Sequence, residues 1–214
     1  MNAPSRIVSA RRHPPLSRAR KLLSARCLAA DADSRQGMRG FTWISGAVLA
    51  GCAVFSYPGR DYVLTGLMLF LPLFDRAWRM PSLPRSTSHY LAWAALSITA
   101  IVLLVWRPVF ASFGLITLFA VALPEEWYFR AYFMDRLGKG FRPNAIASIL
   151  FSLLHGLTRD WSTALLVFVP SLFYGWLYQR TRDLPLLILT HALSNLVFVM
   201  FLAQFIADFM GNSR

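Results

Sequence analysis

Seven apolar blocks run along the chain, over roughly residues 41–57, 62–74, 90–106, 109–134, 144–157, 163–179 and 184–209, with short polar turns between them. A helix needs about 20 mostly apolar residues to cross about 30 Å of hydrocarbon, and several blocks reach that length only by recruiting their flanks. The pattern predicts an all-α fold, a polytopic membrane helix bundle of about seven transmembrane helices, with a range of about six to eight. Turns such as Arg79-Met80-Pro81-Ser82-Leu83-Pro84 and Gly138-Lys139-Gly140-Phe141-Arg142-Pro143 carry the helix-breaking residues between blocks.

Composition strengthens the picture: 56% of the 214 residues are apolar and 15% charged, where a soluble domain carries about 25% charged residues. The net charge of +12 invites a nucleic-acid partner, but its placement argues for a lipid bilayer instead. Nine of the 22 Lys and Arg precede residue 40, and most others fall in alternate turns: Arg76, Arg79 and Arg85, then Arg136, Lys139 and Arg142, then Arg180 and Arg182. The intervening turns hold only Arg60, Arg107 and Arg159. That alternation is the bias of cytoplasmic loops toward positive charge. It places the N-terminus in the cytoplasm and, with seven crossings, the C-terminus outside, as in a bacterial inner membrane. Residues 1–39 are basic, with Asp31 and Asp33 their only acids, and are expected to form a disordered cytoplasmic tail. Residues 40–214 are expected to form one membrane domain. No short apolar stretch with a cleavage site lies near Met1, so the first membrane helix is expected to act as the export signal. Cys27 and Cys52 form neither a disulfide framework nor a metal-ligand spacing.

Against this apolar background a few polar residues stand out. Ionisable groups at bilayer depth cost about 2.5–3.5 kcal/mol on insertion scales and by default mark function. The only two glutamates, Glu125 and Glu126, sit in the fourth block, and two of the four histidines, His155 and His191, lie inside later blocks with Asn195. At about 1.5 Å rise per residue, Glu125 lies about 17 Å before one Arg-rich turn and His155 about 18 Å after it. His191 and Asn195 lie about 10–17 Å from the next such turn, so three helices bring their polar groups to a similar depth. Glu126 and Arg130 are spaced to share a helix face and pair, whereas Glu125 points about 100° away with no partner on its own helix. Pro124 lacks a backbone donor, which predicts a kink or helix start there. Glu126–Arg130 is thus expected to be the neutralised structural pair, and Glu125 the available carboxylate, suited to general-base work. His191 and Asn195 share a face and offer donors for an oxygen that becomes negative. Phe151 shares a face with His155 and is placed to fix its ring. Trp127, inside the glutamate motif, is expected to shape the pocket, while Trp43, Trp78, Trp93, Trp106, Trp161 and Trp176 are expected to anchor helix ends at the membrane interface.

These spacings resemble the CPBP family of intramembrane proteases, which includes the CAAX prenyl endopeptidases and bacterial relatives. Glu125-Glu126-Trp127-Tyr128-Phe129-Arg130 fits its EExxxR motif, Phe151-Ser152-Leu153-Leu154-His155 fits FxxxH, and His191-Ala192-Leu193-Ser194-Asn195 fits HxxxN. All three occur in the family's order on separate apolar blocks, within roughly residues 115–200. The resemblance implies that Glu125 and His155 activate a water, and that His191 and Asn195 form an oxyanion hole. It implies a glutamic peptidase without a cofactor, acting on a membrane-anchored protein or peptide. Stretches such as Phe168-Val169-Pro170-Ser171 and Phe173-Tyr174-Gly175-Trp176-Leu177 look similar to members thought to process C-terminal sorting tails of exported proteins. Three alternatives stay open. Two histidines and a glutamate are also a zinc-hydrolase ligand set, although no HExxH is present. Buried Glu and His make proton relays in transporters. A catalytically idle, immunity-type binding protein is the third.

Overall fold

The computed structural model describes residues 40–84 and 86–202. The basic segment 1–39 and the end of the last apolar block lie outside the described residues. Seven helices follow one another: α1 (Gly40–Val54), α2 (Arg60–Phe74), α3 (Thr87–Trp106), α4 (Pro108–Leu137), α5 (Phe141–Thr158), α6 (Trp161–Thr181) and α7 (Leu184–Leu202). Among the described residues there is no strand. Each helix coincides with one apolar block. Four of them, α3, α4, α6 and α7, are long and apolar enough to cross a membrane, and α1, α2 and α5 are not. The structure therefore bears out an all-helical bundle, with four candidate spans where about seven crossings were expected.

Burial is inverted relative to a soluble bundle. No residue of α3 is buried, and large apolar side chains such as Leu91, Val105, Leu165 and Val169 point outward. That is the arrangement for a helix whose outer solvent is lipid. The core sits instead around the second half of α4, where Tyr128 to Met134 are all buried. Rings do the filling: Phe129 meets Phe151 edge to face at 5.1 Å, and Trp78 meets Tyr132 in the same way at 5.6 Å.

Helix α4 is not uniform. Residues Leu123–Glu126 are α-helical, but Thr117–Ala122 before them and Trp127–Met134 after them wind as wider π-helix. Pro124 has no N–H to complete the ladder, and widened turns are a common response to such a break, often at functional sites. The Thr65 hydroxyl donates to the Ala120 carbonyl, four residues before the proline, at 3.4 Å. Next to α4, α5 and α6 pack closely enough that a Cβ on Gly175 would lie 1.8 Å from Asn144 Oδ1. Asn144 in turn donates to the Leu172 carbonyl at 2.8 Å.

The Arg-rich turns gather at one end of this bundle. There Arg136 pairs with Asp75 at 3.0 Å and Arg182 with Asp135 at 2.7 Å, and Gln179 bonds both backbone groups of Gly140. Asp183 caps α7 at the same end and accepts from His89 and from the Trp93 indole of α3. The Arg-poor turns meet at the other end, where Arg60 Nη2 donates to the Thr158 carbonyl at 2.7 Å and Arg159 Nη2 lies 3.4 Å from Asp61 Oδ2. Asp160 caps α6 beside them. Donation from the Thr163 hydroxyl and amide holds its carboxyl below the usual carboxylate range. Trp43, Trp106, Trp161 and Trp176 are half exposed or more, as interfacial anchors would be. Trp78 and Trp93 differ: their indole N–H groups bond the Ala131 carbonyl and Asp183, so both tie helices together.

Candidate active site

Glu125 leaves α4 in the short α-helical interval between the two π segments. Its side chain is 13% exposed, and one imidazole nitrogen stands on each side of the carboxylate. His155 Nε2 of α5 is 4.0 Å from Oε1, and His191 Nε2 of α7 is 3.7 Å from Oε2. Both separations exceed a direct hydrogen bond, and both are short enough for one water to serve each pair.

The other nitrogen of each ring is already committed. His155 Nδ1 is 3.0 Å from the Phe151 carbonyl, which only accepts, so Nδ1 carries the proton. The Phe151 ring lies 4.4 Å from the same imidazole and limits its rotation. His191 Nδ1 is 2.7 Å from Glu126 Oε1, and Tyr174 stacks on the His191 ring at 4.9 Å. Both histidines consequently turn Nε2 toward Glu125.

Glu126 and Arg130 are completely buried and 3.5 Å apart, so the expected pair forms. Its surroundings were not legible in the motif. Arg130 Nη2 donates to the Ser171 hydroxyl at 2.8 Å and to the Ser171 carbonyl at 3.2 Å, and the guanidinium lies over the Phe151 ring. Glu126 thus joins α4 to α7 through His191, while Arg130 joins α4 to α6. Asn195 lies one turn beyond His191 and is half-buried, and its amide makes no hydrogen bond among the described residues.

A cleft of about 550 Å³ ends on Glu125 and His155. Its walls are Leu64, Thr65 and Met68 of α2, Ala120 and Phe129 of α4, and Phe151 and Leu154 of α5; its mouth is Ser56, Tyr57, Arg60, Asp61, Thr158 and Arg159. His191 and Asn195 do not line it and stand behind Glu125. Trp127, expected in the pocket, does not line it either. Its indole packs edge to face on Trp78 and donates to the Leu69 carbonyl on another side of α4. Sequence reasoning missed Tyr174, Ser171 and the charged mouth. The only sequence signal for Arg60 and Arg159 was that each is a lone cation in an Arg-poor turn.

Glu125, His155 and His191 are the donors that the zinc alternative would use. Among the described residues, however, no group of three His, Cys, Asp or Glu side chains is arranged to hold a metal ion.

The family model described as Type II CAAX prenyl endopeptidase Rce1-like matches residues 107–197. No curated protein and no solved structure matches the chain. The matched stretch takes in α4, α5, α6 and most of α7, and with them Glu125, Glu126, Arg130, His155, His191 and Asn195. It leaves α1, α2 and α3 outside, although α2 supplies one wall of the cleft. Residues 107–197 thus resemble the Rce1-like type II CAAX prenyl endopeptidase family, and with the apolar spans of the bundle that match supports, at the level of the family, an integral membrane endopeptidase.

Proposed function

We propose that the chain hydrolyses a peptide bond near a membrane anchor by attack of a water that Glu125 and His155 hold between them. The observation that carries this is the Glu125 carboxylate at the end of the cleft, with His155 Nε2 at 4.0 Å and His191 Nε2 at 3.7 Å. A water bonded to Glu125 Oε1 and His155 Nε2 gives its proton to the carboxylate as its oxygen attacks the carbonyl carbon. The tetrahedral oxyanion is received by His191 and the Asn195 amide. For this the scissile carbonyl must be seated beyond Glu125 against α7, and His191 must donate from Nε2. That requires the imidazolium, which Glu126 supports by accepting from Nδ1. The proton on Glu125 then passes to the leaving amine.

The substrate class on this reading is a membrane-anchored protein or peptide, including C-terminal tails of exported or lipid-modified proteins. The setting is a bacterial inner membrane with the N-terminus in the cytoplasm. No cofactor takes part. The alternative is a zinc hydrolase in which Glu125, His155 and His191 bind the ion, which would supply a Lewis acid and a metal-bound nucleophile.

The test uses purified wild-type and Glu125→Gln protein in detergent. Each is incubated with membrane-anchored candidate peptides, with and without a strong chelator, and products are read by mass spectrometry. Cleavage by wild type alone, insensitive to chelator, is the expected result. An active Glu125→Gln protein overturns the mechanism, loss of activity with chelator transfers it to a metal, and stable capture of a peptide without cleavage by either protein points to a binding role.

A further inference from the structure

The two ends of the bundle are built differently, and among the described residues the cleft that ends on Glu125 opens at one of them. At the Arg-rich end the turns are fastened to one another by the Asp75–Arg136 and Asp135–Arg182 ion pairs, the Gln179–Gly140 bonds and the Asp183 cluster with His89 and Trp93. Asp75 and Asp183 are buried there, so that end is packed through to its polar groups. The described cleft opens at the other end, between the α1–α2 turn and the α5–α6 turn.

Two short helices flank the opening. Its walls include α2, of 15 residues, and α5, of 18, or about 22 and 27 Å at the usual rise. Both are shorter than about 30 Å of hydrocarbon, and both end at the mouth. The mouth is also polar: Arg60, Asp61 and Arg159 ring it, and Arg60 Nε pairs with Asp61 Oδ1 at 3.6 Å. Arg60 and Arg159 each reach across from one turn to the other, to the Thr158 carbonyl at 2.7 Å and to Asp61 at 3.4 Å, and so border the mouth with charge.

We propose that the site is reached from the extracytoplasmic face, through the Arg60–Asp61–Arg159 rim, and that its substrate is a polypeptide segment already delivered to that side of the membrane. The Arg-rich turns mark the fastened end as cytoplasmic, so the open end faces outward. The identity of the substrate as a peptide rests on the proposed function, but the direction of access does not.

Access can be read without any substrate. With Cys27 and Cys52 replaced by serine, single cysteines are introduced as Ser56→Cys at the mouth, Thr65→Cys and Ala120→Cys in the cleft wall, and Ser82→Cys in an exposed Arg-rich turn. Each variant that elutes from size exclusion like its parent is treated with a charged, membrane-impermeant maleimide in right-side-out and in inverted vesicles. Ser56→Cys and at least one cleft-wall cysteine are expected to react in right-side-out vesicles, and Ser82→Cys only in inverted ones. Cleft cysteines that react from the Ser82→Cys side, or from neither side, overturn the proposal, and so does reversal of the whole pattern. A protein that passes this labelling test but cleaves nothing would instead count against the proteolytic reading.

Discussion

At the scale of single residues, the adjacent glutamates carry different loads and should fail differently. Glu126 is fully buried between Arg130 and His191. Glu126→Gln leaves the buried Arg130 charge without its counter-ion, and breaking such a pair costs about 3–5 kcal/mol. Thermal unfolding in detergent should show a clear loss of stability, whereas Glu125→Gln should melt close to wild type while losing all cleavage. A melting curve for Glu125→Gln as depressed as that of Glu126→Gln would make Glu125 a structural residue too. Asn195→Ala should keep the fold and lower the cleavage rate about 10²–10³-fold, the effect of losing one oxyanion donor; an unchanged rate would remove it from the site. Tyr174 offers a subtler case. Its stack on His191 is replaceable by any aromatic ring, so Tyr174→Phe should retain activity and Tyr174→Leu should lose several-fold in kcat, since such stacks are worth about 0.5–1.5 kcal/mol. Equal activity of both variants would show that the stack does not hold the ring. The glutamates, histidines and asparagine were legible because each is rare and conspicuous in apolar sequence. Tyr174 and Ser171 were not, because in an aromatic-rich, serine-containing helix nothing separates a residue that touches His191 or Arg130 from its neighbours.

Among elements, α4 and the α5–α6 pair decide whether those side chains meet. Sequence spacing treats α4 as a regular helix, and the Glu126–Arg130 pair follows correctly from that. The π segments on either side of Leu123–Glu126 do not, because only the proline hints at them. Trp127, which was expected in the pocket, packs on Trp78 instead. Two residues past Glu125 is about 200° round a helix, so the motif's own spacing turns this ring to the opposite face. Helix boundaries were legible to within a few residues, since each block ends at Pro, Gly or charge. The packing of α5 on α6 turns on Gly175, whose sequence neighbours gave no sign of it. Gly175→Ala places a methyl group where Asn144 Oδ1 stands, and overpacking of this kind costs about 1–3 kcal/mol. The expected outcome is a lower melting temperature together with reduced cleavage, because α5 carries His155. Paired with Asn144→Ala, which removes the obstructing amide, Gly175→Ala should cost less than it does alone. If the double variant is no more stable than the sum of the two single losses, Asn144 is not what limits the approach.

For the whole molecule, the number of crossings turns on why three helices fall short of a membrane span. In α5 the deficit has a local cause. Asn144, Ser148 and Ser152 are buried and His155 faces the cleft, so the residues that lower its hydropathy point into the protein. Its ends nonetheless lie at opposite ends of the bundle, with Gly140 bonded to Gln179 at one and Thr158 to Arg60 at the other. It runs from end to end beside α6, a candidate span, which is the placement expected of a crossing. The same reasoning applies to α2, whose first residues meet Thr158 and Arg159 while Asp75, just past its last turn, meets Arg136. The expected topology of seven crossings with the N-terminus inside, in which α1 crosses as well, can be tested with alkaline phosphatase, which is active only outside the cytoplasm. Fused after residues 58, 107 and 159 it should be active, and after residues 80, 139 and 182 inactive. Activity after residue 139 combined with none after residue 159 would reverse the orientation and turn the cleft toward the cytoplasm. Inactivity after residue 58 alone would make α1 and α2 a pair that enters and leaves by the cytoplasmic face. The mouth at residues 56–61 would then lie inside the bilayer, and substrate would have to reach Glu125 through lipid.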